Sequence, residues 1–348
     1  MTSQPPTQTT SQLRTSRTPR WVLNVFRANL IAQVGIVVTG GLVRLTGSGL
    51  GCPTWPECVD GSLVPTARQE EAYHKFIEFG NRLLTFVLTA LAIAAIVATI
   101  AWARKRRRSG LPRRTSLLLL ATVPLLGTVA QAVLGGITVL TGLHPAVVAA
   151  HFLLSIAVIG GCVVLVDRAG ADADSPKDFV VPPLVRWYTN ALVSLTAVVL
   201  LVGTVVTGSG PNSGDADVAH RFGFDQRFVA WLHADLVLLT VGMTLGMLLL
   251  SYLALSERAI RRRTWYLVAA LAANGFVGYL QLFTGLPWAA VATHMLLACL
   301  VWIAALRLRL GMTRRGTAAT VAEIDLTTPL VAVGEPAASV TTTARRDT

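Results

Sequence analysis

The chain has 348 residues, 53% of them hydrophobic and 14% charged, with a mean hydropathy of +0.59, whereas about a quarter of a soluble domain is charged. A water-soluble enzyme is excluded. Thirty Lys and Arg against 18 Asp and Glu give a formal charge of +12, so the placement of the charges has to separate a nucleic-acid binder from a membrane protein.

Residues 1–22, rich in Ser, Thr, Gln and Pro at their start, lack the apolar core and cleavage site of a signal peptide and read as a disordered tail. Apolar stretches follow at 23–45 and 77–103. Residues 115–166 then contain no Asp, Glu, Lys or Arg, and the same holds for 264–306. A bilayer-spanning helix needs about 20 apolar residues, so each run suits two helices joined by a hairpin. Thr141-Gly142-Leu143-His144-Pro145 and Thr284-Gly285-Leu286-Pro287-Trp288 supply the turn, a Gly and a Pro where a helix should stop. With 185–208 and 226–254 the total is eight spans, and residues 311–348 read as a second tail. The expected fold class is all-α and integral to the membrane.

Basic residues orient the spans. Twenty-four of the 30 Lys and Arg fall on one side, including the Arg104 to Arg108 block, and six on the other. The richer side is the cytoplasmic one, which predicts both termini inside and a cell-membrane location. Placing the acids the same way gives +15 inside and −3 outside. The bases recur after every second span instead of gathering on one face, so the charge is a topology signal, and no nucleic-acid partner is expected. The loops at 46–76 and 209–225 and both hairpins face outward.

An internal repeat divides the chain. Thr141 to His151 aligns without a gap on Thr284 to His294, and Val37-Val38-Thr39-Gly40 recurs as Val205-Val206-Thr207-Gly208. Two pseudo-symmetric four-helix bundles are expected, residues 23–167 and 185–308, related by an axis along the membrane normal.

The repeat makes the histidines informative. His151 opens the fourth span and His294 the eighth; His233 lies about seven residues into the sixth, which at about 1.5 Å per residue brings it to the depth of His294. Two histidines at one level on different helices of a bundle suit axial ligation of a haem iron. A membrane histidine can equally serve a helix–helix hydrogen bond. In the first half the position of His233 is taken by Asn81, in Glu78-Phe79-Gly80-Asn81-Arg82, leaving His151 as the clear ligand. Glu78 and Arg82, four apart on one helix face, can form an interfacial ion pair. They can also provide an acid beside a reactive cofactor and a cation for a haem propionate. In the outer loop, Cys52 and Cys58 can form a disulfide, either a structural clip or a redox-active pair. Cys162 and Cys299, at unmatched repeat positions, read as packing residues.

These residues resemble the haem A synthase family over about residues 23–308. The resemblance rests on Gly40-Gly41-Leu42-Val43-Arg44-Leu45-Thr46-Gly47-Ser48-Gly49-Leu50, Cys52 and Cys58, Glu78 through Arg82, Gly135-Gly136-Ile137-Thr138 leading to His151, Thr207 to Pro211, and the two C-terminal histidines. It implies oxidation of one methyl group of haem O, by two successive steps, to the formyl group of haem A. It implies haem b on His233 and His294 for electron transfer, His151 on the substrate haem, Glu78 beside the reacting methyl, and Cys52–Cys58 as an outer-loop disulfide. The cofactor-binding set is then His151, His233, His294, Asn81 and Arg82, with haem iron as the metal. A haem O synthase (farnesyltransferase) in cytochrome oxidase biogenesis is the implied partner, and a homo-oligomer is left open.

One departure stands out. Many relatives carry His where this chain has Asn81, so five-coordination through His151, with an open sixth position, is expected. His74 can substitute only if the helix starts after it. Two rival readings share features: a di-haem b cytochrome or quinone/disulfide oxidoreductase would use the histidines and cysteines without altering the haem, and a transporter would share the repeat.

Overall fold

A computed structural model describes residues 18–66, 73–111, 114–171, 177–211 and 220–315. Most of both predicted tails, together with Arg68, Glu70, Glu71, Asp215 and Asp217, lies outside the described residues. Among the described residues eight helices are long and apolar enough to cross a membrane: α1 (Arg20–Leu45), α2 (His74–Arg108), α3 (Thr115–Leu140), α4 (Pro145–Gly170), α5 (Pro183–Ser209), α6 (Gln226–Leu253), α7 (Arg258–Phe283) and α8 (Trp288–Leu310).

Both predicted hairpins form, and by the same chemistry. α3 ends at Leu140 and α4 starts on Pro145; α7 ends at Phe283 and α8 starts at Trp288, after Pro287. Gly142 and Leu143 have positive φ (57° and 59°), as do Gly285 and Leu286 (73° and 61°). The Leu143 N–H reaches the Thr138 carbonyl at 2.9 Å and the Leu286 N–H reaches Gln281 at 2.8 Å, the six-residue closure by which a left-handed turn satisfies the last carbonyls of a helix.

The neighbour pattern divides the helices into two sets. α1 packs on α2, α2 on α3, α3 on α4 and α4 back on α1; α5, α6, α7 and α8 repeat that ring. Between the rings, α1 meets α8, α4 meets α5 and α4 meets α8, a set that exchanging the halves leaves unchanged. Interhelical polar contacts replace the hydrophobic drive that lipid removes. Asn29 Nδ2 donates to the Leu91 carbonyl at 2.8 Å, the Tyr188 hydroxyl to that of Met243 at 2.7 Å, and Trp302 Nε1 to that of Ile156 at 3.0 Å.

The apolar cores sit toward the helix ends on the side of the two termini. Val22, Phe26, Trp102, Leu117 and Leu165 close the first half; Leu192, Met247, Ile260, Leu267 and Leu308 close the second; Val34, Ile159, Val163 and Cys299 lie between them. Toward the opposite ends the packing loosens. In α7 the buried positions stop at Leu271, and α6 has none between Val229 and Thr240.

Three differences from the sequence reading stand out. α1 starts at Arg20, because Val22 and Phe26 are sealed in the core. α2 runs through the whole Arg104 to Arg108 block, with Arg106 fully buried and its guanidinium 5.3 Å from the Trp102 ring centroid. Residues 311–315, read as the start of the second tail, are structured. Met312 is fully buried, and β2 (Thr313–Arg315) pairs antiparallel with β1 (Lys177–Phe179) in the segment joining the halves.

Candidate functional site

The loop after α1 folds down onto α2 and carries the first constellation. Cys52 and Cys58 are joined by a disulfide and fully buried. Gly51 lies on the backbone of His74 and Lys75, where a Cβ would come within 2.6 Å of it, so only glycine permits the approach. The Cys52 N–H donates to Glu78 Oε2 at 2.7 Å.

Arg82 ties the rest together. Its Nε and Nη2 donate to Glu78 Oε1 at 3.1 and 2.6 Å; Nη1 donates to the carbonyls of Thr54 and Glu57, and Nη2 to those of Cys52 and Thr54. All five guanidinium N–H groups are thereby engaged. The pair expected from the i,i+4 spacing is present, and the same cation also holds the loop. A haem propionate at Arg82 would have to displace loop carbonyls. Trp55 of this loop lies against Gly136 of α3, so the loop spans from α1 to α3 over one end of the first half.

Asn81 faces α1. Its Oδ1 accepts from the Thr39 hydroxyl at 2.8 Å. His74 is the first residue of α2, so the condition under which it was to substitute for a ligand at Asn81 is not met. Seven residues of continuous helix separate the two, about 10 Å, and His74 Nδ1 instead shares a 2.7 Å hydrogen bond with Ser48.

The three ligand candidates have one environment in common that sequence reasoning missed. A Cβ on Gly135 of α3 would lie 3.2 Å from Cε1 of His151; on Gly203 of α5, 3.2 Å from Cε1 of His233; on Gly278 of α7, 3.4 Å from Cε1 of His294. Each imidazole edge therefore rests on a glycine of the neighbouring helix. Gly135 and Gly278 stand sixteen residues before His151 and His294, so the gap-free repeat was the signal that could have found them. The counterpart of Gly203 in the first half is Gly35, two residues before the Val-Val-Thr-Gly motif in each case. A Cβ on Gly35 would meet nothing within 4 Å, as expected where Asn81 replaces histidine.

The Nδ1 atoms of His151, His233 and His294 are all buried without a hydrogen-bond partner. His233 lies beside the Val199 backbone and His294 beside that of Asn274. Near His151, Gln131 Nε2 donates to the His151 carbonyl at 3.0 Å while its Oε1 is buried and unpaired. Asn274, sixteen plus four residues before His294 as Gln131 is before His151, has an unpaired Oδ1 in turn. Among the described residues no three His, Cys, Asp or Glu side chains converge as a bare metal-ion site requires, whereas haem iron takes one or two axial ligands from the protein. Half-buried imidazoles with spare nitrogen, set between helices, fit that group. His144 and His220 approach to 6.1 Å between centroids in the outer loops, both exposed and away from these sites.

Comparison with known proteins gives this geometry a family. Residues 24–306 match the COX15-CtaA description, cytochrome oxidase assembly protein. The chain belongs to that family. Among curated relatives it is 32% identical over 184 residues to "Heme A synthase" of Lysinibacillus sphaericus, covering 51% of this chain and 55% of the relative. It is 30% identical over 178 residues to that of Halalkalibacterium halodurans (51% and 56%) and 33% over 138 residues to that of Listeria welshimeri (39% and 41%). The chain thus spans about half the length of the curated relatives it matches.

Proposed function

We propose that the chain is a haem A synthase of the cell membrane, with both termini cytoplasmic, which oxidises one methyl group of haem O twice to a hydrate that loses water and leaves a formyl group. The observation that carries this reading is the unequal repeat. One half sets two histidines against glycines, and the other sets only His151 against a glycine, Gly135, with Asn81 bonded to Thr39 of α1. A half with both ligands suits a group that stays, and a half with one suits a substrate that enters and leaves.

In the second half His233 and His294 would hold haem b, which when bound supplies electron transfer. In the first, His151 would hold the substrate haem, and Asn81, a poor iron ligand engaged by Thr39, would add no second protein ligand. Glu78 accepts two bonds on Oε1 and one on Oε2, and a carboxylate has about four lone-pair sites, so one on Oε2 stays available. It can therefore stabilise positive charge developing at the methyl carbon and accept a proton there. Arg82 and the Cys52 N–H fix where that charge sits. In this reading the disulfide holds the loop that positions Glu78. A haem O synthase is the proposed supplier of substrate, and the product serves cytochrome oxidase assembly.

The test is expression of the whole chain with a haem O supply, followed by haem extraction and chromatography. Haem A is expected with the wild type and not with Glu78→Ala. Haem b alone in every variant would identify a di-haem cytochrome instead, and no haem at all would remove the haem reading.

A further inference from the structure

Arg44 is the cation that the constellation around Glu78 does not use. It lies in the last turn of α1, and its Nε and Nη2 are both buried without an acceptor. Glu78 is already paired with Arg82, and Arg82 is saturated by that carboxylate and three loop carbonyls. A cation in the last helical turn gains from the helix dipole, but that gain is small beside the desolvation of an unpaired guanidinium. The arrangement is stable once an anion with two oxygens meets the fork.

The direction of Arg44 follows from its helix. Positions 33, 40 and 44 form one stripe, at spacings of seven and four. Gln33 reaches Thr128 of α3 at 3.3 Å, and a Cβ on Gly40 would stand 3.8 Å from Nδ2 of Asn81 on α2. The stripe therefore faces the interior of the first half, the side of His151 and Asn81. The repeat counterpart of Arg44 is Asn212, so the charge belongs to the first half alone.

We propose that Arg44 binds a propionate carboxylate of the haem held in the first half, in place of Arg82. This rests on the haem reading above. It makes Arg44 a binding residue for the end of the substrate that does not react, and so a determinant of which way round the macrocycle sits.

The test uses full-length protein already carrying haem in the second half. Haem b, as a substrate analogue, and its dimethyl ester are each titrated as a second equivalent and followed by the Soret difference spectrum. The wild type is expected to prefer the free acid over the ester at least tenfold, a comparison that needs no variant. Arg44→Gln should lose at least tenfold in affinity for the free acid and bind the ester as the wild type does, with Arg44→Lys between them. Equal binding of acid and ester by the wild type, or equal losses for both in Arg44→Gln, overturns the proposal. So does loss of co-purified anionic lipid from Arg44→Gln with haem binding unchanged, which would assign the site to a phosphate headgroup. A wild type that takes no second equivalent, or takes it equally after His151→Ala, overturns the reading of the first half itself.

Discussion

Gly203 and Gly35 occupy matched places in the repeat and make opposite predictions for the same substitution. Gly203→Ala would put a Cβ 3.2 Å from Cε1 of His233, tighter than nine in ten real contacts, so the ring must retreat by a few tenths of an ångström. In a helix interior the exchange by itself gains about 1 kcal/mol, and overpacking costs about 1–3 kcal/mol, so the net effect at Gly203 is a loss of about 0–2 kcal/mol. At Gly35, where nothing lies within 4 Å, only the gain of about 1 kcal/mol remains. The functional contrast is sharper. Ligand distances at a metal are held to about 0.2 Å, less than the retreat imposed on His233. Gly203→Ala should therefore purify with less haem b per polypeptide and a shifted reduced-minus-oxidised spectrum, while Gly35→Ala keeps the wild-type haem b and melts slightly higher. Equal haem content in both variants, or equal losses, would refute the argument that the imidazole edge rests on Gly203.

Other expectations follow from single contacts. Arg82→Met leaves Glu78 without its ion pair and three loop carbonyls without donors; a loss of about 3 kcal/mol in chemical unfolding, toward the lower end for a buried pair because the arginine is partly exposed, is expected, and a loss under about 1 kcal/mol would show that the loop holds without it. Cys52→Ala/Cys58→Ala keeps the main-chain N–H that binds Glu78, so activity in the haem assay should fall by much less than with Glu78→Ala; equal inactivation would restore a redox role. Asn81→His should add the absorption of a low-spin bis-imidazole haem when substrate is present, and an unchanged spectrum would mean that this position does not face the iron. Leu286→Gly relieves a positive φ at a partly exposed residue and should stabilise by about 1 kcal/mol, whereas Leu143→Gly loses a side chain that is only 7% exposed and should destabilise; thermal melting of the pair checks the sign.

The eight spans were legible because lipid demands long charge-free runs, and two such runs carried a Gly and a Pro at their middle. Their ends were less legible. Trp102 shelters Arg106, so a block of five basic residues continues a helix that composition alone would have stopped. The i,i+4 pair of Glu78 and Arg82 followed from helix geometry, but its loop partners did not, since Thr54 and Glu57 return to Arg82 through an irregular segment without periodicity. His151 and His294 stood out in the alignment of the halves, and His233 by its depth in the sixth span. The glycines beneath them were in the same alignment, yet a glycine announces nothing until the neighbouring helix is placed. Arg44 was visible in a motif and unreadable there, because its meaning lies in the acceptors it lacks. The ribbon of β1 and β2 pairs segments more than 130 residues apart, beyond the reach of any local pattern.

That ribbon has a consequence for the architecture as a whole. It hydrogen-bonds the entry of the second half to its exit, so the stretch from Lys177 to Arg315 begins and ends at one place. A unit whose ends meet can be copied and joined in tandem without rerouting the chain, which is what the fusion of a duplicated ancestor demands. A chain cut between Ala171 and Lys177 should leave the second half with both its ends still stitched together, ready to dock on a separately made first half.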